Sequence, residues 1–151
     1  MKAIGFRAFP QGFHWAAVSG SRAEPILEDA QTVEAPLAFG DCEALKFLED
    51  ECRRILADNA PHSAALREAE FSGKGAVAAG RKRCRVEGVI AASCGRIGVE
   101  AKLSTLATIS SNLSTPKAKE FLEREDLRGL DWRDYKKDQR EAILVSVSVL
   151  K

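Results

Sequence analysis

The stretch that most constrains the fold runs from Ser63 to Ser93, SAALREAEFSGKGAVAAGRKRCRVEGVIAAS. A short apolar run, Ala64-Ala65-Leu66, ends in Arg67 and Glu68. A glycine-bearing loop, Ser72-Gly73-Lys74-Gly75, follows, and then a long small-residue segment loaded with Arg and Lys. Strand, loop and helix in that order form an α/β unit, and a polar residue at the strand's end is delivered where such proteins build sites. Val86, Val89, Ile90 and Cys94 give the helix one apolar stripe, and Gly88 permits close approach to a neighbour.

The residues before this stretch read as an antiparallel meander. Lys2 to Phe9 alternates at strand period, Pro10-Gln11-Gly12 is a turn signal, and Phe13 to Ser19 alternates again. Gly20-Ser21 turns the chain into a third strand between Pro25 and Val33. Asp41 is then a candidate N-cap for a helix to about Ala57, with Leu45, Leu48, Cys52, Ile55 and Leu56 on its apolar face. Asp58-Asn59-Ala60-Pro61 stops it.

After the central unit, a short strand is expected from Ile97 to Ala101, then a turn or short helix within Leu103 to Leu113. Thr115-Pro116 predicts a helix start, with Thr as N-cap and Pro at the first helical position, and that helix ends near Arg124. Asp126 to Lys136 reads as a polar connector carrying Trp132 and Tyr135. From Asp138 to Lys151 the local pattern is balanced. Val145-Ser146-Val147-Ser148-Val149 alternates like a strand, yet Ala142, Val145 and Val149 also make a helical face.

The order of elements is that of the RNase H-like fold: a five-stranded mixed sheet of three antiparallel strands and two parallel ones, flanked by helices. Local motifs sharpen this. Ile4-Gly5-Phe6-Arg7 resembles the first-strand motif of RuvC-type Holliday-junction resolvases, which ends in an aspartate. Ala65-Leu66-Arg67-Glu68 with Phe71 resembles their fourth-strand motif, which ends in a glutamate, and Arg83 to Ala92 resembles the helix after it. Asp138-Gln139-Arg140-Glu141-Ala142 resembles their closing motif of two acids three apart, which assigns the last segment to a helix. The Lys-Gly and basic pattern from Arg67 to Gly88 also resembles a less characterised bacterial family thought to share the fold.

The resemblance implies a site of about four carboxylates around two divalent ions roughly 3.5–4 Å apart, one activating water and the other stabilising the leaving oxygen. Glu68, Asp138 and Glu141 are the candidate catalytic and metal-ligating residues, and Mg²⁺ or Mn²⁺ the ion if the site is active. The first-strand aspartate is missing: Arg7 stands there, and no Asp or Glu lies between Met1 and Ala23. A guanidinium among carboxylates would satisfy them by charge-assisted hydrogen bonds and supply the charge a metal would bring. The leading expectation is therefore a salt-bridged pocket with no cofactor. Its rivals are an Arg7 that points elsewhere, and a rebuilt metal site recruiting Asp134, Glu70 or Asp131. Strand alternation sends Arg67 and Glu68 to opposite faces.

The second constellation is basic. Lys74, Arg81, Lys82, Arg83 and Arg85, with Lys117 and Lys119, are the candidate nucleic-acid-binding residues. Arg81 and Arg85 align at i, i+4 on a helix, against the alternative of a solvated face balanced by Glu87, Glu120 and Glu123. Net charge is only +1, so binding to DNA or RNA requires such a local patch. Stacking candidates are few: Trp132, Tyr135 and Trp15, the last assigned to the core. Gly73-Lys74-Gly75 lacks the spacing of a P-loop, and two histidines in strand or loop positions support no catalytic triad.

A third expectation is homo-oligomeric assembly, in which the small-residue face around Gly80 and Gly88 packs on another subunit. With 151 residues, one RNase H-like domain over 1–151 is expected. No apolar run reaches the roughly 18–20 residues of a membrane span, and a cytoplasmic protein is expected. Cys42, Cys52, Cys84 and Cys94 fit no zinc template and read as buried or semi-buried thiols. The functional expectation is a RuvC-like domain that binds nucleic acid or a partner without cutting.

Overall fold

A computed structural model describes residues 1–70 and 77–151, so Phe71 and the Gly73 to Gly75 loop lie outside the described residues. Strands β1 (Ala3–Phe9), β2 (Gly12–Gly20) and β3 (Pro25–Glu34) form the antiparallel meander. Helix α1 (Asp41–Asn59) follows, then strand β4 (Ser63–Arg67), helix α2 (Val77–Arg96) and strand β5 (Ala101–Ser104). The sheet order is β3-β2-β1-β4-β5, with β4 parallel to β1 and β5 parallel to β4. This is the expected five-stranded mixed sheet.

Strand period divides the core in two. Ile4, Phe6 and Ala8 of β1 and Leu66 of β4 pack with Leu48, Ile55, Val86 and Ile90 under α1 and α2. On the other face Ala3 and Ala65 meet the last helix, α4 (Lys137–Ser148). Every residue of α4 from Glu141 onward is buried, which explains its ambiguous local pattern. A helix enclosed on all sides shows no polar face, so its sequence carries no clear helical period. Its serines are satisfied within the helix: Ser146 Oγ donates to the Ile143 carbonyl and Ser148 Oγ to that of Val145, both at 2.7 Å.

Gly5 sets how closely α4 lies on β1. A methyl group at Gly5 would overlap the Ala142 carbonyl oxygen and Ser146, so only glycine permits this contact. The close approach brings the first turns of α4 against the end of β1.

Four local expectations are corrected. Gly40, not Asp41, is the N-cap of α1, and Asp41 sits in the first turn, where its charge suits the helix dipole. The fifth strand begins at Ala101, because α2 runs on to Arg96 and Ile97 to Val99 turn back on Cys94. Thr115-Pro116 starts no α-helix: Ser114 has φ 51°, and a 3-10 helix occupies Ala118–Glu123 with Lys117 as its N-cap. The connector holds a two-stranded ribbon, β6 (Asp126–Leu127) with β7 (Leu130–Asp131), turned by Arg128 and Gly129 at positive φ.

That ribbon leads Trp132 into the core. It is 0% exposed, and its Nε1 donates to the Arg124 carbonyl at 2.9 Å, so it is not a surface stacking platform. Helix α3 (Leu106–Asn112) is capped by Thr105, which accepts from the Thr108 amide. Cys52 and Cys94 are buried, and burial pushes their thiols up to about 12 and about 11; Cys42 and Cys84 are exposed instead. No helix among the described residues is long and apolar enough to cross a membrane.

Candidate functional site

The register across the sheet draws one line of residues. Ser104 of β5 pairs with Arg67 of β4, Arg67 with Arg7 of β1, Arg7 with His14 of β2, and His14 with Thr32 of β3. Register partners on neighbouring strands share a face, and this row lies on the α4 side. The first turns of α4 supply its counter-charges. Gln139 Nε2 donates to Thr32 Oγ1 at 3.4 Å, and Asp138 and Glu141, one turn apart, descend on the arginines.

Arg7 is the hub of the described contacts. Its guanidinium lies 3.3 Å from Asp138 Oδ1 and 3.6 Å from Glu141 Oε2, and its Nη1 donates to the Ala8 carbonyl at 2.9 Å. Arg67 Nε approaches the same Glu141 oxygen at 3.1 Å, while its Nη2 holds Glu70 at 2.6 Å. Glu141 therefore bridges two guanidiniums. Its side chain is 11% exposed and that of Arg67 7%, so the pairing occurs where charges interact strongly and isolated charges are costly. The Nε atoms of Arg7 and Arg67 have no hydrogen-bond partner of good geometry, leaving charge attraction to hold both to Glu141.

A third arginine closes the group. Arg83 of α2 donates to Glu87 Oε1 at 3.0 Å and to the Arg67 carbonyl at 3.1 Å. The same Glu87 oxygen accepts the Ala69 amide at 3.0 Å. Burial and then repulsion from Arg7 push the Arg83 guanidinium below its ordinary value. Arg83 thus ties α2 to the end of β4 rather than facing solvent, because positions 83 and 87 share the helix side turned to the sheet.

Glu68 is not part of this group. Its amide donates to the Ser104 carbonyl at 3.0 Å, but its carboxylate has no ion-pair partner among the described residues. Leu66 belongs to the α1–α2 side, so the alternation that places Arg67 towards α4 carries Glu68 away. Of the other recruitable acids, Glu70 is held by Arg67. Asp131 is bound by exposed Arg133, whose hydrogen bonds hold its carboxyl down to about 2, and Asp134 is exposed.

His14 was not singled out by its sequence context, since a lone polar residue in an apolar strand carries no signal. Its Nδ1 is 2.7 Å from Thr32 Oγ1 and its ring lies 4.9 Å from that of Phe9. Burial lowers its pKa; Asp138 opposes that shift and Arg7 reinforces it.

The outer face of α2 is built differently. Arg81, Lys82 and Arg85 are exposed; Arg85 reaches Asp41 at 3.5 Å, and Arg81 and Lys82 pair with no described residue. Lys117, the N-cap of the 3-10 helix, and Lys119, within it, are exposed. Lys74 lies outside the described residues.

Comparison with solved structures identifies the architecture. The structure of Thermus thermophilus RuvC superposes with a TM-score of 0.80 at 17% identity, covering 98% of this chain and 92% of that one. The fold is that of the RuvC-type resolvases. T. thermophilus RuvC in complex with Holliday junction substrate matches with a TM-score of 0.79 at 15% identity, covering 98% and 92%. The yeast mitochondrial Holliday junction resolvase Ydc2 matches at 0.58 and 10% identity, covering 97% and 77%. No family model matches the chain, and no curated protein matches it in sequence.

In this RuvC-like fold the resemblance implies metal-holding acids at the ends of the first and fourth strands. Here Arg7 of β1 stands at the position of the first acid, beside Arg67, the last residue of β4, and Glu68 follows at the position of the second but turned away from them. The side chains present do not fit a pair of divalent ions: guanidiniums stand between the carboxylates, and no group of three or more His, Cys, Asp or Glu among the described residues is placed to hold a metal. Three guanidiniums, Arg7, Arg67 and Arg83, face four paired carboxylates, Asp138, Glu141, Glu70 and Glu87. Among the described residues, no surplus positive charge is left in the pocket for a phosphate.

Proposed function

We propose that this chain is a RuvC-like domain that binds nucleic acid, with branched DNA as the first substrate class to test, and does not cut it. The observation carrying this reading is the adjacent pair Arg7 and Arg67 sharing Glu141. Two fixed cations hold the carboxylates that would otherwise ligate metal, so the pocket serves as a structural clamp joining β1, β4 and α4. The solved neighbours include RuvC and a fowlpox virus resolvase, each with Holliday junction DNA, which supports a nucleic-acid partner for the shared fold.

In this reading the working surface is the outside of α2. Arg81, Lys82 and Arg85 contact the phosphate backbone without reading sequence, and each contact releases counterions, making affinity steeply salt-dependent. Lys117 and Lys119 extend the surface only if the nucleic acid reaches the 3-10 helix.

Gel shifts and cleavage assays on a four-way junction, a single strand and an RNA–DNA hybrid test this proposal. Binding at low salt is expected to persist in EDTA, with no product in Mg²⁺ or Mn²⁺. Cleavage abolished by Asp138→Asn would instead establish a divergent nuclease. Absence of any shift at low salt would favour the assembly reading.

A further inference from the structure

We propose that the cavity between the β3–α1 connection and the basic face of α2 is a subsite for one unstacked nucleobase of a strand held on α2. This rests on the nucleic-acid reading above and adds a place where the strand's ring chemistry is recognised.

The cavity has a volume of about 160 Å³. That is smaller than the roughly 300–1,000 Å³ of sites for drug-sized ligands, so it suits one ring system rather than an extended molecule. Its lining is mixed: Pro36, Phe39 and Leu45, with buried Leu48 beneath, supply the apolar part, and Gln11 and Asp41 supply polar groups among them. The Phe39 ring is fixed by edge-to-face contact with Phe47, centroids 6.0 Å apart. A fixed aromatic wall loses little freedom when a second ring packs on it.

The rim has the opposite chemistry. Lys82 and Arg85, two of the exposed cations of α2, also line the cavity; Arg85 lies 3.5 Å from Asp41, and Lys82 has no ion-pair partner among the described residues. An occupant must therefore join a flat ring to an anion, as a nucleotide does. Inorganic phosphate would leave the apolar part of the lining empty, and a neutral ring would leave Lys82 unused. Base–aromatic stacking is tolerant of sequence because every base has a π-face, which suits a surface whose other contacts are to the backbone. Leu37, 89% exposed on the same connection, gives an incoming base an apolar edge to pass.

The test uses the whole chain in EDTA at low salt. Fluorescence anisotropy compares a labelled single strand, an abasic sugar-phosphate strand of equal length and a fully paired duplex. The intact strand is expected to bind about tenfold tighter than the abasic one, a factor within the range of one stacked base. Ala44→Leu fills the cavity from α1 and is expected to erase that difference while leaving duplex affinity within twofold. AMP should displace the strand where ribose 5-phosphate and inorganic phosphate do not.

Equal affinity for intact and abasic strands, or a difference that survives Ala44→Leu, would overturn the subsite while leaving backbone binding intact. If neither duplex nor strand binds, the nucleic-acid reading fails and the proposed subsite fails with it. Thermal melts of Ala44→Leu guard against misfolding, and Phe39→Ala, which opens the cavity instead of filling it, should lose the same discrimination.

Discussion

Two sets of arginines sit within a few turns of one another and have opposite fates. Arg7, Arg67 and Arg83 are drawn into the fold and matched by carboxylates from α4, α2 and the end of β4. Arg81 and Arg85, on the other side of α2, remain at the surface, and Asp41 at 3.5 Å from Arg85 is their one ion-pair partner among the described residues. The inner set is largely enclosed and matched by carboxylates, so salt should screen it less than the exposed set. The exposed set contributes little to stability and leaves its charge at the surface, where the proposed nucleic acid would meet it. A basic residue's position in the sequence does not decide between these roles. The face on which the helix or strand presents it does.

Substitutions in the buried set should have the largest effects. Arg67→Met leaves Glu141 and Glu70 without their closest partner and should cost about 3 kcal/mol. For a chain of this size that lowers the melting temperature by roughly 6–12 °C. Adding Glu141→Met to it should restore part of the loss, because Arg7 keeps Asp138 and half-exposed Glu70 turns to solvent, so no carboxylate is left buried and unpaired. A double variant no better than the single would show that the pair is not a unit.

The exposed set should respond in affinity instead. Arg81→Ala with Arg85→Ala should weaken DNA binding about tenfold at low salt and reduce the salt slope by about two. Its stability should change by no more than about 0.5 kcal/mol. A large loss of stability would erase the contrast between the two faces of α2.

The smallest effect expected is the pH response of His14. Its pKa is lowered by burial, so the unfolded chain binds the proton more readily than the folded one. Stability should therefore be full above the ordinary value of 6.5 and fall as pH drops from there towards the lower folded value. His14→Gln should flatten this part of the curve in denaturant titrations at successive pH values. A slope unchanged by the substitution would remove His14 from the row's electrostatics.

Much of the architecture was legible because strand period and turn residues are local signals. Arg7 at the end of the first strand, and the i, i+3 pair Asp138 and Glu141, could be located the same way. The role of Arg67 was hidden by a question of parity: one residue's shift in alternation exchanges it with Glu68, and single-sequence reading offers no face label. The line from Ser104 through His14 to Thr32 depends on register between strands distant in sequence. Trp132 looked like a polar loop's aromatic because the two-residue strands that carry it inward are too short to show a period.

In the proposed reading, Arg7 and Arg67 stand in place of metal. Isothermal titration of Mg²⁺ and Mn²⁺ into the unmodified chain and into the Arg7→Asp, Arg67→Glu double variant tests it directly. The account predicts no binding at millimolar concentration in the unmodified chain, and cation binding with a raised melting temperature in the variant, whose pocket would gain two carboxylates beside Asp138 and Glu141. Millimolar or tighter binding by the unmodified chain, lost in Glu68→Gln or Glu141→Gln, would contradict it.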